Sequence, residues 1–126
     1  MVFTNSGLKE VRKWLAGKTI GQVHEIVLGE DGTAELETDT ALGSVVGTTS
    51  AGFDSTTETD YTIAYEHVMS TLEGNGFDFR EVGMMCYTAG TSLTDTVLYA
   101  RHTFPVINKT TSEEMETIIT LKVDNA

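Results

Sequence analysis

Hydrophobic and polar residues alternate along much of the chain after residue 17, a pattern typical of strands with one buried face. The clearest runs are DYTIAYEHVM (residues 60–69) and METIITLKV (residues 115–123). The first predicts a shared face made of Tyr61, Ile63, Tyr65, His67 and Met69. The second predicts a shared face made of Met115, Thr117, Ile119, Leu121 and Val123. Strands are also predicted for QVHEIVLG, FDFREVGMMCY and TVLYARHTF, the last ending at Pro105.

The first 17 residues follow a helical pattern instead. A helix over about residues 6–16 is predicted, capped by Asn5 or Ser6 and stopped at Gly17. Its predicted apolar face consists of Leu8, Val11 and Leu15, with Trp14 at the border.

Strands that follow one another without helical crossovers pair antiparallel. The fold class predicted is therefore mainly β: an antiparallel β-sandwich or curled sheet with one N-terminal amphipathic α-helix. We expect a single domain over residues 1–126, with the β region at about 20–124. EDG and EGNG are turn signatures, and TDTALGS predicts a helical turn or loop. TAGTSLTD is predicted to be a loop, and residues 43–59 allow an edge strand or a mobile loop.

Negative charge is the strongest compositional signal, and it is unevenly distributed along the chain. The net charge is −11, yet the first 18 residues carry +3, so the other 108 carry −14. Such a surface argues against nucleic-acid binding and suggests a protein that works in high salt, with an ordinary acidic protein as the alternative. No apolar run reaches about 18 residues, and the N-terminus lacks the features of a signal peptide, so we expect no membrane insertion.

Candidate chemistry is sparse. Three histidines and one cysteine offer a zinc site or a nucleophile–base pair, but their spacing supports neither: His24, His67, His102 and Cys86. A hydrolase would require two of them and a carboxylate within hydrogen-bond reach. AGKT (residues 16–19) lacks the first glycine of a phosphate-binding loop, where Arg12 stands. We expect no catalytic residue, no metal ligand and no cofactor.

Two acidic segments could bind cations, and one sequon could carry a glycan, but the acidic segments also have simpler explanations. GEDGT (residues 29–33) is explained by a turn at Asp31-Gly32, and DSTTETD (residues 54–60) is either solvated or a weak site for Ca²⁺ or K⁺. Asn108 begins a glycosylation sequon in a predicted loop after Pro105.

Two further sets are candidates for binding. The basic helix offers a docking surface for an acidic neighbour, including a second copy, through Lys9, Arg12, Lys13 and Trp14. The alternative is that this helix closes the open side of the sheet. Four tyrosines form either core packing or a sugar-stacking platform: Tyr61, Tyr65, Tyr87 and Tyr99.

Arg80 and Glu81 lie inside the apolar run GFDFREVGMM. Strand alternation places Arg80 on the face of Val82, Met84 and Cys86. It places Glu81 on the face of Phe79, Gly83 and Met85. The two charges are then structural and do not pair with each other, and a buried Glu81 is expected to accept hydrogen bonds.

Four stretches in order resemble a family of small structural proteins of tailed viruses, found around the tail fibre and baseplate. The stretches are SGLKEVRKWLAG, VHEIVLGEDGTAELETDTALGSVV, LEGNGFDFREVGMM and LYARHTFPVINKTTSEEMETIITLKV. The acidic surface departs from many relatives and suits a virus of a salt-loving host.

The resemblance implies a virion component without catalysis, made in the host cytoplasm. It would assemble with itself as a trimer or ring and with other virion proteins. A capsid-surface turret or decoration protein is a variant of this hypothesis. The alternative class is a module that binds glycans or the host cell surface.

Overall fold

In the computed structural model, residues 1–19, 21–46, 53–87 and 96–123 are described. They form one helix, α1 (Asn5–Leu15), and seven strands. The strands are β1 (Val2–Phe3), β2 (Val23–Gly29), β3 (Ser55–Glu58), β4 (Thr62–Met69), β5 (Asp78–Tyr87), β6 (Thr96–Asn108) and β7 (Met115–Lys122). No helix in these ranges has the length and apolar character that a membrane crossing requires.

The strands form two antiparallel sheets. The large sheet has the order β1-β6-β5-β2, and the small sheet has the order β3-β4-β7. The predicted fold class, mainly β with one short N-terminal helix, is confirmed.

Both sheets contribute side chains to one buried cluster, as in a sandwich. The cluster contains Ile26, Leu28, Val46, Tyr65, Met69, Phe79, Val82, Met84 and Ile119. A second cluster contains Val27, Leu42 and Leu98, with Met85 packed against it. Because Val27 and Leu28 are neighbours on β2 and both are buried, the large sheet is covered on both faces there. This explains why its strands read as continuous apolar runs.

The small sheet keeps one face in solvent, so its strands alternate as predicted. Tyr65, His67 and Met69 are buried along β4, and Ile119 is buried on β7. Tyr61 and Val123 differ from the prediction: they lie outside β4 and β7 and are 64% and 78% exposed.

Two predicted boundaries are wrong. The helix cap is Thr4, whose Oγ1 accepts a hydrogen bond from the Gly7 N–H at 3.0 Å, rather than Asn5 or Ser6. Strand β6 continues through Pro105 to Asn108.

A bulge explains the second difference. Phe79 pairs with Ile107 and Glu81 with Thr103, so one residue of β5 lies opposite three residues of β6. Pro105 is the middle one of these three, where the ladder does not require a backbone N–H donor.

Several turn predictions are confirmed. The helix ends before Gly17, which has φ +67°, and the EGNG turn has Gly74 and Gly76 at φ +64° and +82°. Residues 38–44 form turn and loop, and Ser55–Glu58 is an edge strand. The predicted loop at 88–95, residues 47–52 and positions 20 and 124 lie outside the described residues.

Candidate functional site

Helix α1 docks on the large sheet through a glycine instead of its leucines. A Cβ atom at Gly7 would lie 2.6 Å from Cα of Tyr99, so only glycine permits this close approach. Gly7 and Glu10 are the buried residues of the helix, whereas Leu8 and Leu15 are 50% and 85% exposed. The predicted apolar face is therefore wrong, because the backbone contact at Gly7 decides which side of the helix is covered.

The solvent side of α1 carries two leucines and two bases. We define the outer face of α1 as Leu8, Lys9, Arg12 and Leu15. The four residues predicted as a docking surface therefore differ in their exposure. Lys9 and Arg12 are exposed, Lys13 donates a hydrogen bond to the buried Glu10 at 2.8 Å, and Trp14 is partly buried.

The solvent side of the small sheet carries acidic and apolar residues. We define the outward face of the small sheet as Glu66, Glu116 and Ile118. Glu66 lies opposite Ile118 in the β4–β7 ladder, next to Glu116. A hydrogen bond with Glu66 and repulsion between the two carboxylates raise the pKa of Glu116 above its ordinary value. Ile118 is 56% exposed. This face therefore concentrates negative charge around an exposed apolar side chain.

A cleft of about 790 Å³ opens between the two sheets, and α1 forms part of its wall. We call it the aromatic cleft after five lining residues: Trp14, Phe53, Tyr61, Tyr65 and Tyr99. Its polar lining includes Thr56, Glu58, Thr59, Asp60 and Thr62. The volume falls within the roughly 300–1,000 Å³ of small-molecule sites.

The mouth of the cleft is held by backbone hydrogen bonds. The Tyr61 carbonyl accepts a hydrogen bond from the Val123 N–H at 2.8 Å, and the Thr62 carbonyl accepts one from the Thr59 N–H at 2.9 Å. The exposed Tyr61 ring therefore stands on a fixed turn. Deeper in the cleft, burial raises the pKa of Tyr65, and nearby Tyr99 and Glu58 raise it further, so its hydroxyl stays protonated.

The structure brings together three of the four tyrosines that the sequence singled out. Tyr61, Tyr65 and Tyr99 line the cleft, whereas Tyr87 stacks on His24 with ring centroids 3.9 Å apart. Trp14 joins this set, and its indole lies directly against Gly21. No local pattern links Trp14 with the tyrosines, because the nearest of them, Tyr61, lies 47 positions further along the chain.

Glu81 is fully buried, and its hydrogen bonds confirm the prediction. Its Oε2 accepts hydrogen bonds from Arg101 Nε at 2.9 Å and from the Gly43 N–H at 3.0 Å. Its Oε1 accepts them from the Ser44 N–H at 2.8 Å and the Asp31 N–H at 3.3 Å. The carboxylate therefore ties the 31–44 loop to β5 and β6.

Arg101 is the partner that the sequence analysis missed. It is 3% exposed and also donates to Asp39 Oδ2 at 2.9 Å. Burial opposes its charge, but hydrogen bonds with Asp39 and Glu81 raise the pKa of Arg101. The available signal was an arginine inside another apolar strand, LYARHTF, which is the same pattern that singled out Glu81.

Arg80 lies apart from Glu81, as predicted. Its side chain is 40% exposed and approaches the carboxylate of Asp78 at 4.0 Å. Two predicted positions on β5 are wrong: Phe79 packs in the same cluster as Val82, not on the side of Glu81, and Arg80 lies beside Gly32 rather than on the buried face of Val82. The alternation changes where the β5–β6 register is irregular, at Arg80, which lies opposite three residues of β6.

The histidines are dispersed, and each lies beside a different carboxylate. His24 Nε2 is 3.3 Å from Glu25 Oε1. His67 Nδ1 is 3.4 Å from Asp54 Oδ2, and His102 Nδ1 is 3.4 Å from Glu35 Oε1. Burial raises the pKa of the Cys86 thiol to about 11, opposite to what a nucleophilic cysteine requires. The described geometry thus gives no support to the hydrolase alternative.

The remaining candidates have local partners. Asp31 accepts hydrogen bonds from Thr33 and forms the predicted turn. No group of three or more metal-ligating side chains occurs among the described residues. Asn108 is exposed but ends β6 rather than lying in a loop, and its Nδ2 donates to Asp78 Oδ1 at 2.8 Å.

These features define a small antiparallel β protein with an exposed basic helix face and an aromatic cleft. No known protein family, curated protein or solved structure matches the chain.

Proposed function

We propose that this protein is a non-catalytic structural subunit of a tailed virus, in the tail, fibre or baseplate region, and that it assembles into a homo-oligomer. The observation that carries the proposal is the outer face of α1, which exposes leucines and bases on an otherwise anionic chain. The resemblance of four stretches to small virion proteins supports the location in the particle. A turret or decoration protein on the capsid surface is a variant with the same assembly chemistry.

The contact that we propose is between the outer face of α1 in one copy and the outward face of the small sheet in the next. Arg12 of the first copy would pair with Glu66 and Glu116 of the second. Leu8 would cover Ile118, which removes apolar surface of both copies from water. Complementary charge fixes the register of such a contact, and the apolar side chains supply affinity.

The outer face of α1 and the outward face of the small sheet limit the symmetry of the proposed homo-oligomer. A contact between two different surfaces that forms once between each pair of copies is heterologous, and it generates a closed ring if the rotation closes. A trimer or larger ring fits this geometry, whereas in a two-fold dimer the same pair of copies would make the contact twice.

Salt is expected to strengthen this contact, although it screens the ion pairs within it. Two copies of net charge −11 repel one another in dilute buffer. Salt shortens the Debye length from about 10 Å at 0.1 M to about 3 Å at 1 M, which removes long-range repulsion more than it weakens charges in contact. We therefore expect the oligomer to form more readily in high salt.

Mass by light scattering in low and high KCl tests the proposal. Arg12→Glu should shift the protein to monomer, and Arg12→Glu combined with Glu116→Lys should restore the oligomer by exchanging the charges. Lys18→Glu is the matched control, because it changes the net charge equally at an exposed base outside the outer face of α1. A strict monomer at every protein and salt concentration would overturn the assembly proposal, as would equal effects of Arg12→Glu and Lys18→Glu.

The location requires a separate measurement. Peptides of this chain should be found by mass spectrometry in purified virus particles, in fixed stoichiometry to a tail or capsid protein. Their absence from particles, with the protein present in infected cells, would refute the virion assignment.

A further inference from the structure

The aromatic cleft has the composition of a ligand site, and it is separate from the surfaces proposed for assembly. We propose that this cleft binds a neutral oligosaccharide. Five aromatic side chains line it, contributed by α1, β4, β6 and two connecting segments. Residues so far apart in the chain converge here because α1 and the two sheets meet around the cleft.

The aromatic rings suit the apolar faces of sugars. A sugar ring presents C–H groups on one face and hydroxyls around its edge, so an aromatic ring packs against the first and polar groups bind the second. Tyr61 offers such a ring at the mouth, 64% exposed on a turn fixed by hydrogen bonds. Inside, Phe53 and Tyr65 have ring centroids 4.6 Å apart and form a continuous apolar wall.

The polar lining suits hydroxyl groups. Glu58 and Asp60 can accept hydrogen bonds from sugar hydroxyls, and three threonines can both donate and accept them. Two ring nitrogens of lining residues, Trp14 Nε1 and His24 Nδ1, are buried without a partner among the described residues. The His24 side chain is only 8% exposed. Buried polar atoms normally have hydrogen-bond partners, and a sugar hydroxyl next to either nitrogen would provide one.

The charge of the cleft lining distinguishes neutral from anionic sugars. The described lining contains two carboxylates and no lysine or arginine. An anionic sugar would meet like charge at the mouth without a base to pair with it. The site should therefore select neutral sugars over sialylated or sulfated ones.

Trp14 makes the site directly observable. It is the only tryptophan of the chain, so its fluorescence reports on the cleft alone. The probes are neutral hexasaccharides of glucose, of mannose and of N-acetylglucosamine, titrated in about 1 M KCl to screen bulk charge. At least one should change the Trp14 emission saturably, and calorimetry should give the same affinity. Its sulfated counterpart should bind about tenfold more weakly or worse.

Tyr61→Ala should weaken binding of that hexasaccharide about tenfold or more, because it removes the exposed stacking ring. Leu72→Ala is the matched control, since Leu72 is 89% exposed and does not line the cleft. It should leave the affinity unchanged. Unchanged melting of both variants would show that the fold is intact.

Three results would overturn the proposal. They are no saturable signal from any neutral hexasaccharide up to about 10 mM, equal affinities of Tyr61→Ala and Leu72→Ala, or tighter binding of an oligolysine peptide than of every neutral sugar. Binding should persist in Arg12→Glu, which distinguishes failure of this site from failure of assembly.

Discussion

Replacing Glu81 by alanine tests whether one buried carboxylate holds the outer side of the large sheet. Four donors depend on it: Arg101 Nε and the backbone N–H groups of Asp31, Gly43 and Ser44. Truncation would leave these donors without an acceptor, in a site where Glu81 itself is fully buried. Arg101 would retain its hydrogen bond to Asp39, so its charge would be only partly compensated.

The expected loss is large. Removing one partner of a buried ion pair costs about 3–5 kcal/mol, because the other charge stays buried. Domains of this size have about 5–15 kcal/mol of total stability, so the loss is a substantial share. Each kcal/mol shifts the Tm by roughly 3–6 °C, which predicts a fall of about 9–30 °C.

Thermal and urea unfolding followed by circular dichroism would measure the effect. Glu114→Ala is the matched control, because it removes the same charge from an exposed position and should change stability by less than about 0.5 kcal/mol. Glu81→Gln should fall between the two, since its amide oxygen can still accept hydrogen bonds but carries no charge. In a double-mutant cycle with Arg101→Met, we expect a coupling of about 1–3 kcal/mol. A Tm for Glu81→Ala within about 2 °C of the control would refute the reasoning.

Four further outcomes are expected. Gly7→Ala should lower the Tm, although alanine favours helices by about 1 kcal/mol, because its Cβ would lie 2.6 Å from Tyr99 Cα; a raised Tm would contradict this. In urea unfolding, Lys109→Ala should lose about 2–4 kcal/mol and Lys109→Met much less, because the stem of this 1% exposed side chain fills space; equal losses would assign the effect to its charge. A hydrogen bond from Thr103 lowers the pKa of Glu35 from 4.5 to about 2, so the stability it contributes is present above pH 4.5 and lost towards pH 2. Acid unfolding should be shallower in Thr103→Val across that window, and an identical profile would argue against it. Finally, the Tm should rise between about 0.1 M and 2 M KCl, and a flat profile would remove the argument for a high-salt protein.

Much of the architecture could be predicted because its signals are local. Alternation along β4 and β7 located the small sheet, and the glycines of the EGNG turn were read correctly from their tolerance of positive φ. Predicted strand and helix boundaries were wrong where a contact between distant parts of the chain sets the end of the element. Pro105 remains within β6 because its partner strand leaves extra residues unpaired, and no local pattern reveals the length of a partner.

The candidate sites depended on tertiary structure more strongly. Glu81 could be recognised as a buried charge that needed partners, but its partner Arg101 lies 20 residues away on the neighbouring strand. The aromatic cleft joins Trp14 to Tyr61 and Tyr99, and such a set exists only after α1 and both sheets pack.

The kinds of element could be predicted from local sequence: a short N-terminal helix, antiparallel strands, their turns and an anionic surface. Periodicity, turn residues and charge count are properties of neighbouring residues, so they need no fold to be read. Which face of each element is covered depends on how the helix and the two sheets pack. The leucines of α1 face solvent because Gly7, which has no side chain, allows the helix backbone to approach Tyr99. Phe79 lies on the opposite face of β5 from the one predicted because the β5–β6 register is irregular at Arg80. Burial depends on which surfaces pack together, and the same packing leaves the outer face of α1, the outward face of the small sheet and the aromatic cleft open to solvent.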